Sequence, residues 1–83
     1  MTDKEMKEEI ESIAQELDEK GYAIAVNYGL PYIVVTDSSG EVVINEQGDD
    51  AQHTIDDAEA ASEKFDVNDE DWMLYHLEGA GML

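Results

Sequence analysis

The sequence predicts a small α+β protein in which a three-stranded antiparallel sheet is packed with helices, in the order α-β-β-β-α-α. The hydrophobic period is helical over the first 20 residues, changes to two near residue 22, and becomes helical again in the last third of the chain. A length of 83 residues allows one domain with one modest core. We therefore expect residues 1–83 to form a single acidic α+β domain, with residues 79–83 as the segment most prone to fray.

The first helix is predicted over residues 3–20. Thr2 and Glu5 fit a capping box at its start, and Gly21 stands where a left-handed residue commonly ends a helix. The apolar residues between them recur at helical spacing and share one face: Met6, Ile10, Ile13, Ala14 and Leu17.

Three strands are predicted next. Residues 22–28 alternate between larger apolar or aromatic side chains and Ala or Asn, which is typical of a strand. Residues 32–36 and 41–45 are β-branched runs joined by residues 37–40, with Gly40 at the left-handed position of the turn, so they form a β-hairpin. Because both runs are continuously apolar at their centres, we expect helices to cover both faces of the hairpin at least in part.

Two helices are predicted in the last third of the chain, after a loop at residues 46–50. Thr54 and Asp57 fit the start of the second helix, which should end near Phe65. Asn68 fits the N-cap of the third, which Gly79 should end. The inward stripe of the second helix is Ile55, Ala58, Ala61 or Ser62, and Phe65, and the anchors of the third are Trp72, Met73, His76 and Leu77. We assign Trp72 to the core and leave Tyr75 open between core and interface.

The charge is the most informative part of the composition. Asp and Glu total 22 against 4 Lys and no Arg, a net charge of −18, where a small domain usually carries a magnitude of roughly 2 to 8. Residues 21–36 hold no charge, whereas residues 37–83 hold 14 acids and one lysine. Such a field repels nucleic acid and anionic membranes and speeds encounter with cationic surfaces. The expected partner is therefore a basic, nucleic-acid-binding protein.

Several classes of chemistry have no support in the sequence. There is no cysteine, so disulfides, thiolate nucleophiles and cysteine-based metal sites are excluded. His53 and His76 are too far apart for a helical metal pair, and we expect His53 at the surface and His76 half-buried. No nucleophile motif or glycine-rich phosphate loop is present. The sequence favours a binding protein without cofactor over an enzyme, and its charged start and lack of a long apolar run favour the cytoplasm.

Calcium is the rival use of clustered acids. Asp66, Asn68 and Glu70 match the opening of an EF-hand loop. The sixth position is Asp71 instead of glycine and the twelfth is Leu77 instead of glutamate, so we predict no metal site.

An acidic binding surface is predicted from the hairpin turn to the start of the third helix. Helix capping and the interaction with the helix dipole, which stabilises by about 0.3 to 1 kcal/mol per acidic residue, explain one or two acids there. They do not explain the larger excess, because only Lys64 offsets the acids of this part of the chain. An arginine donates to a carboxylate in the same bidentate geometry as to a phosphate, so these acids suit an arginine-lined groove. The candidate partner-binding residues are Asp37, Gly40, Glu41, Glu46, Asp49, Asp50, Asp66, Asp69, Glu70 and Asp71.

Two segments, TDSSGEVVINE at residues 36–46 and FDVNDEDW at residues 65–72, within this element order, resemble the small phage-encoded anti-CRISPR proteins that inhibit type II Cas9. The resemblance implies a DNA mimic that fills the site where Cas9 reads the PAM duplex. It also implies that the contacts come from the turn, at Asp37, Gly40 and Glu41, and from the start of the last helix, at Asp69, Glu70 and Asp71. The partner would then be a CRISPR effector nuclease in the cytoplasm of the host cell.

Two other interpretations remain open. The chain could be a structural domain of a salt-loving organism, whose acidity serves solubility, although such acidity should be spread evenly. It could also be an acidic adaptor that neutralises another basic partner, such as a toxin.

Overall fold

The computed structural model describes all 83 residues and has the predicted element order. Its bounds are α1 (Asp3–Glu19), β1 (Ala23–Asn27), β2 (Tyr32–Thr36), β3 (Val42–Gln47), α2 (Asp49–Phe65) and α3 (Asp69–Gly79). The three strands form one antiparallel sheet in the order β1-β2-β3. The α+β fold class is confirmed.

Both ends of α1 follow the local sequence. The Thr2 side chain accepts a hydrogen bond from the backbone of Glu5, whose carboxylate reaches back to Thr2, so the capping box is complete. At the other end, the N–H groups of Gly21 and Tyr22 donate to the carbonyls of Asp18 and Leu17. This is a Schellman motif, and Gly21 has the positive φ of 94° that the motif requires.

All three helices contribute to one core on the same side of the sheet. α3 lies between α1 and α2, and the sheet is contacted by α2 and α3. The core is built from Ala14 and Leu17 of α1, Ile33, Val35 and Ile44 of the sheet, Ala51, Ile55 and Ala58 of α2, and Met73, Leu74 and Leu77 of α3. None of the helices is long and apolar enough to cross a bilayer.

The other face of the sheet is open, so the expectation that both faces of the hairpin would be covered is wrong. Val42 is 51% exposed and Val43 39% exposed, although both lie in a continuous apolar run. A bulge explains part of the pattern, because the register shifts where Thr36 pairs with Val42. Two consecutive valines therefore stand at the bulged end of the strand.

The start of α2 differs from the prediction. Residues 46–50 are not a loop, because β3 extends to Gln47 and α2 begins at Asp49 behind Gly48. Thr54 is therefore not a cap. It is buried inside α2, and its hydroxyl donates to the carboxylate of Glu46, at 3.1 Å, or to the carbonyl of Asp50, at 3.2 Å.

α3 begins and ends near the predicted residues. Asn68 occupies the N-cap position without a side-chain bond to the helix. The residues after Gly79 are tied back, since the N–H groups of Gly81 and Met82 donate to the carbonyls of Glu78 and Leu77, and Leu83 packs against the core.

The aromatic side chains of α3 differ in burial. Trp72 is half-buried against the core, as expected, and Tyr75 is half-buried with its hydroxyl 3.9 Å from the sulfur of Met6. His76 was expected to be half-buried, but it is exposed and stacks on Trp72 with ring centroids 4.8 Å apart. His53 is exposed, as predicted.

Candidate functional site

The β2–β3 turn is fixed by one of the candidate acids. The carboxylate of Asp37 accepts hydrogen bonds from the backbone N–H of Ser39, at 2.9 Å, and of Glu41, at 3.1 Å, and from the Ser39 hydroxyl at 2.6 Å. Gly40 has a φ of 85°, as the turn requires. These donors, the Ser39 hydroxyl first, lower the pKa of Asp37 below its ordinary value. The turn therefore presents Asp37 as a fixed anion beside the exposed Glu41.

The turn packs against the end of α1. A Cβ built on Gly21 would lie 2.6 Å from the Cβ of Ser38 and 3.0 Å from its Cα. Carbon atoms in van der Waals contact are about 3.5 to 4.0 Å apart, so only glycine fits beside the turn at this position. The Schellman motif thus serves two purposes, because it ends α1 and makes room for Ser38.

The second group of acids lies at the corner between α2 and α3, which we define as residues 66–71. Asp66 has a left-handed backbone with φ 56°, a conformation that aspartate tolerates better than most residues, and its carboxylate lies 3.2 Å from the ammonium of Lys7. Asp69, Glu70 and Asp71 form the first turn of α3, where the helix dipole favours negative charge.

Three of these acids line an open cleft of about 500 Å³ together with Tyr28, Ser62, Val67 and Asn68. The hydroxyl of Tyr28 donates to the carboxylate of Asp69 at 3.4 Å. Burial, and next the negative charge of Asp69, raise the pKa of Tyr28. Burial also raises the pKa of Asp71, and the carboxylate of Glu11 on α1 adds to the effect. At the corner, therefore, the carboxyl group of Asp71 is less readily ionised than that of an exposed aspartate.

The turn and the corner approach the same short segment, Gly21–Tyr22, from two sides. Ser38 of the turn packs on Gly21. Tyr22 lines a second cleft, of about 410 Å³, in which Glu70 and Asp71 of the corner face Asp18 of α1. The turn, through Ser38, and the corner, through Glu70 and Asp71, therefore each lie beside the segment Gly21–Tyr22. We refer to residues 37–41 and 66–71 together as the turn–corner surface.

The remaining candidate acids lie elsewhere. Glu46 pairs with Ile33 on the inner face of the sheet and is held by Thr54. Asp49 and Asp50 form the exposed first turn of α2. The register puts them at the end of the sheet opposite the β2–β3 turn, since Tyr32 pairs with Gln47 and Thr36 with Val42. Four residue steps along a strand are roughly 13 Å.

Cations near these acids are few. Lys7 pairs with Asp66, and Lys20 lies 3.5 Å from Glu16 of its own helix. His53 lies 3.9 Å from Asp57 on α2, away from the turn and the corner. The acids of the turn, and those of the corner other than Asp66, have no lysine within salt-bridge distance. No group of three or more carboxylate or imidazole side chains is arranged to hold a metal ion.

Comparisons with protein-family models, with curated proteins and with solved structures found no match. The function must therefore be argued from this site. The sequence did not indicate that Tyr28 contributes to the cleft at the corner, because the residue was assigned only to a strand. Its position just before Gly29, in a stretch without charges, gave no indication that it meets Asp69 of the distant α3.

Proposed function

We propose that this chain is an inhibitor that binds a cationic DNA-binding groove as a DNA mimic. The target we propose is a CRISPR effector nuclease of the Cas9 kind, in which the inhibitor would block recognition of the PAM duplex. Arginines that normally donate bidentate hydrogen bonds to guanine would instead donate to the carboxylates of the turn–corner surface.

The main support is the arrangement of acids around Gly21–Tyr22. Asp37 and Glu41 lie on a turn that packs on Gly21, and Glu70 and Asp71 share a cleft with Tyr22. The turn acid Asp37 is fixed by three hydrogen bonds rather than free to rotate. A fixed carboxylate without a lysine partner suits an arginine-lined groove, because little side-chain entropy is lost on binding.

The interpretation as a salt-adapted structural domain is less well supported. The acids are unevenly distributed, since the outer positions of the sheet hold none while the helices and turns hold nearly all of them. Circular dichroism at low ionic strength separates the two interpretations. A folded spectrum without added salt agrees with our proposal, and folding only in concentrated salt would favour the salt-adapted domain.

The decisive experiment is a competition assay with a catalytically inactive Cas9–guide RNA complex and a fluorescent PAM-containing duplex. Amide variants remove charge but keep hydrogen-bond acceptors, so the turn and Tyr28 retain their partners. We therefore choose Asp37→Asn with Glu41→Gln for the turn, and Asp69→Asn with Glu70→Gln for the corner. If these carboxylates meet desolvated arginines, each double variant should lose about 2 to 5 kcal/mol of affinity, or roughly 30- to 5,000-fold in Kd.

A matched control removes two acids from α2 that line neither cleft. Asp57→Asn with Glu63→Gln changes the net charge by the same amount and should cost about 1 kcal/mol or less. If turn, corner and control variants lose affinity equally, the charge acts only as a general field and the turn–corner surface is not the binding site. If the wild-type protein does not displace the duplex, the proposed target is wrong. Binding to an unrelated basic protein instead would favour the adaptor interpretation.

A further inference from the structure

The open face of the sheet carries no charge at any position. Its middle row, across the three strands, is Ala25, Val34 and Asn45, and the rows on either side are centred on Tyr32 and Thr36. None of the nine paired positions that face away from the helices is acidic or basic. In a chain with 22 acids, none lies at these nine positions.

The same region holds most of the exposed large apolar and aromatic side chains. Of the seven in the protein, Tyr32 and Val42 lie on this face by register, Val43 lies at the bulge beside it, and Leu30 lies in the β1–β2 connection. Leu30 is 81% exposed and shares an open cleft with Tyr32. The solvated face of an antiparallel sheet normally carries polar residues, whereas clustered exposed apolar residues mark interaction sites.

Acids frame this face at its ends. At one end, Asp37 directly follows β2 and Glu41 directly precedes β3. Asp49, two residues after the last residue of β3, lies at the other end. The surface therefore has an uncharged, partly apolar centre and an anionic rim, which is the usual anatomy of a protein interface with one sign of charge at its edge.

Area and charge together indicate the occupant. Three strands about 4.8 Å apart and five residues long give a face of roughly 240 Å², whereas a stable interface buries about 800 Å² on each partner. The face must therefore bind together with its rim. A second copy of this chain would bring two anionic rims against each other, which is unfavourable.

We propose that the uncharged outer face of the sheet is the apolar centre of the interface through which this chain holds a protein whose surface has an apolar patch bordered by lysines and arginines. The inference rests on the proposed function for the identity of that protein. In this interface the acids give the salt-dependent part of the affinity, and the sheet face gives a part that salt does not screen.

The test is a variant that removes apolar surface without changing charge. Tyr32→Thr, Val34→Thr and Val42→Thr together place β-branched threonine, which favours strands, at all three positions, so the fold should be retained. Thermal melting followed by circular dichroism checks this. In the competition assay with the inactive Cas9–guide RNA complex, Kd should rise at least about tenfold. The slope of log Kd against log salt should stay the same. The control, Met82→Gln, replaces an exposed apolar residue outside the sheet and should leave Kd unchanged.

The outcomes separate this inference from the proposed function. If wild type binds and the folded triple variant binds equally well, the inference is wrong and the proposed function stands. If wild type does not bind this complex, the proposed target is wrong, and the inference is then decided with two synthetic peptides of equal lysine content. One peptide is an amphipathic helix with leucines on one face, and in the other those leucines are replaced by serine. Wild type should bind the leucine peptide at least about tenfold more tightly at high salt, and the triple variant should not discriminate. Equal binding of both peptides by wild type would overturn the inference.

Discussion

Replacement of Gly21 by alanine tests whether the hairpin turn is positioned by α1. Two costs are expected. A non-glycine residue at a φ of 94° lowers the free energy of unfolding by about 1 to 2 kcal/mol. The new Cβ would lie 2.6 Å from the Cβ of Ser38 and force the turn to move, which lowers the free energy of unfolding further, by about 1 to 3 kcal/mol. The total is about 2 to 5 kcal/mol. For a domain of this size, each kcal/mol lowers Tm by roughly 4 to 8 °C.

Gly40→Ala is the matched control. Its φ of 85° is nearly the same, but a Cβ there has no neighbour within 4 Å, so only the backbone cost of about 1 to 2 kcal/mol remains. Thermal and urea unfolding, followed by circular dichroism, measure both variants. Equal losses of stability would show that the turn does not pack on Gly21.

A double-mutant cycle isolates the contact itself. Ser38→Gly removes the atom that lies nearest to the new Cβ, so it should cost less in the Gly21→Ala background than in wild type, with a coupling of about 1 kcal/mol or more. Additive effects of the two substitutions would refute the argument that places the turn against Gly21. The competition assay on the same variants then reports whether a displaced turn also weakens binding.

Three other predictions follow from single contacts. Thr54→Val should destabilise the protein by about 1 to 2 kcal/mol although it adds no volume, because the half-buried Glu46 loses a hydrogen-bond donor. Urea unfolding measures this loss of stability. Thr54→Ser keeps the hydroxyl and should lose less stability than Thr54→Val. The raised pKa of Tyr28 means that its neutral phenol is favoured in the folded state. This contribution to stability is present below pH 10 and is lost as pH rises through the folded pKa. An ultraviolet titration compared with that of Tyr28→Phe should show the raised pKa of Tyr28, and Asp69→Asn should bring that pKa closer to its ordinary value. EDTA should leave Tm unchanged, because no group of side chains is arranged to hold a metal; a fall in Tm would reopen the calcium hypothesis.

The parts of the fold that the sequence predicted well depend on neighbours in the chain. Thr2 and Glu5 cap α1 through bonds that span three residues. Gly21 and Gly40 are needed for their own backbone conformation. Helical periodicity correctly assigned Ile55 to the core for a similar reason, since it reports a spacing within one helix.

The errors arose where a distant contact overrides a local preference. Thr54 was predicted to begin α2 because threonine is a good N-cap, yet it is buried in the helix and bonded to Glu46 of a neighbouring strand. The true cap position is Gly48, with φ 64° and no side chain to signal it. The sequence did contain a hint in Ala51, which lies one turn before Ile55 on the same buried stripe.

The candidate site was predictable in composition but not in arrangement. Charge counting selected the turn and the corner, because residues 37–83 hold 14 acids and only one lysine, Lys64. A count of charges could not show that Glu46 is on the inner face of the sheet and bonded to Thr54, because alternate residues of a strand face opposite sides. It also could not show that the carboxylate of Asp37 is held by the backbone of the turn. Nor could it show that Ser38 and Glu70 approach the same two residues of the chain, Gly21–Tyr22.

The segregation of charge on this fold gives the two parts of the proposed interface different physical roles. Carboxylates at the turn and the corner act over about 8 Å at physiological ionic strength, so in the proposed complex they would raise the rate of encounter with a basic groove. The sheet face acts only on contact, so it would lengthen the life of that complex. A charge on the sheet face would add little to the attraction of a chain that already carries −18. It would, however, place an ion in the centre of the interface, where desolvation is most costly. This difference in cost is a physical reason for the acids to lie around the sheet face and not on it.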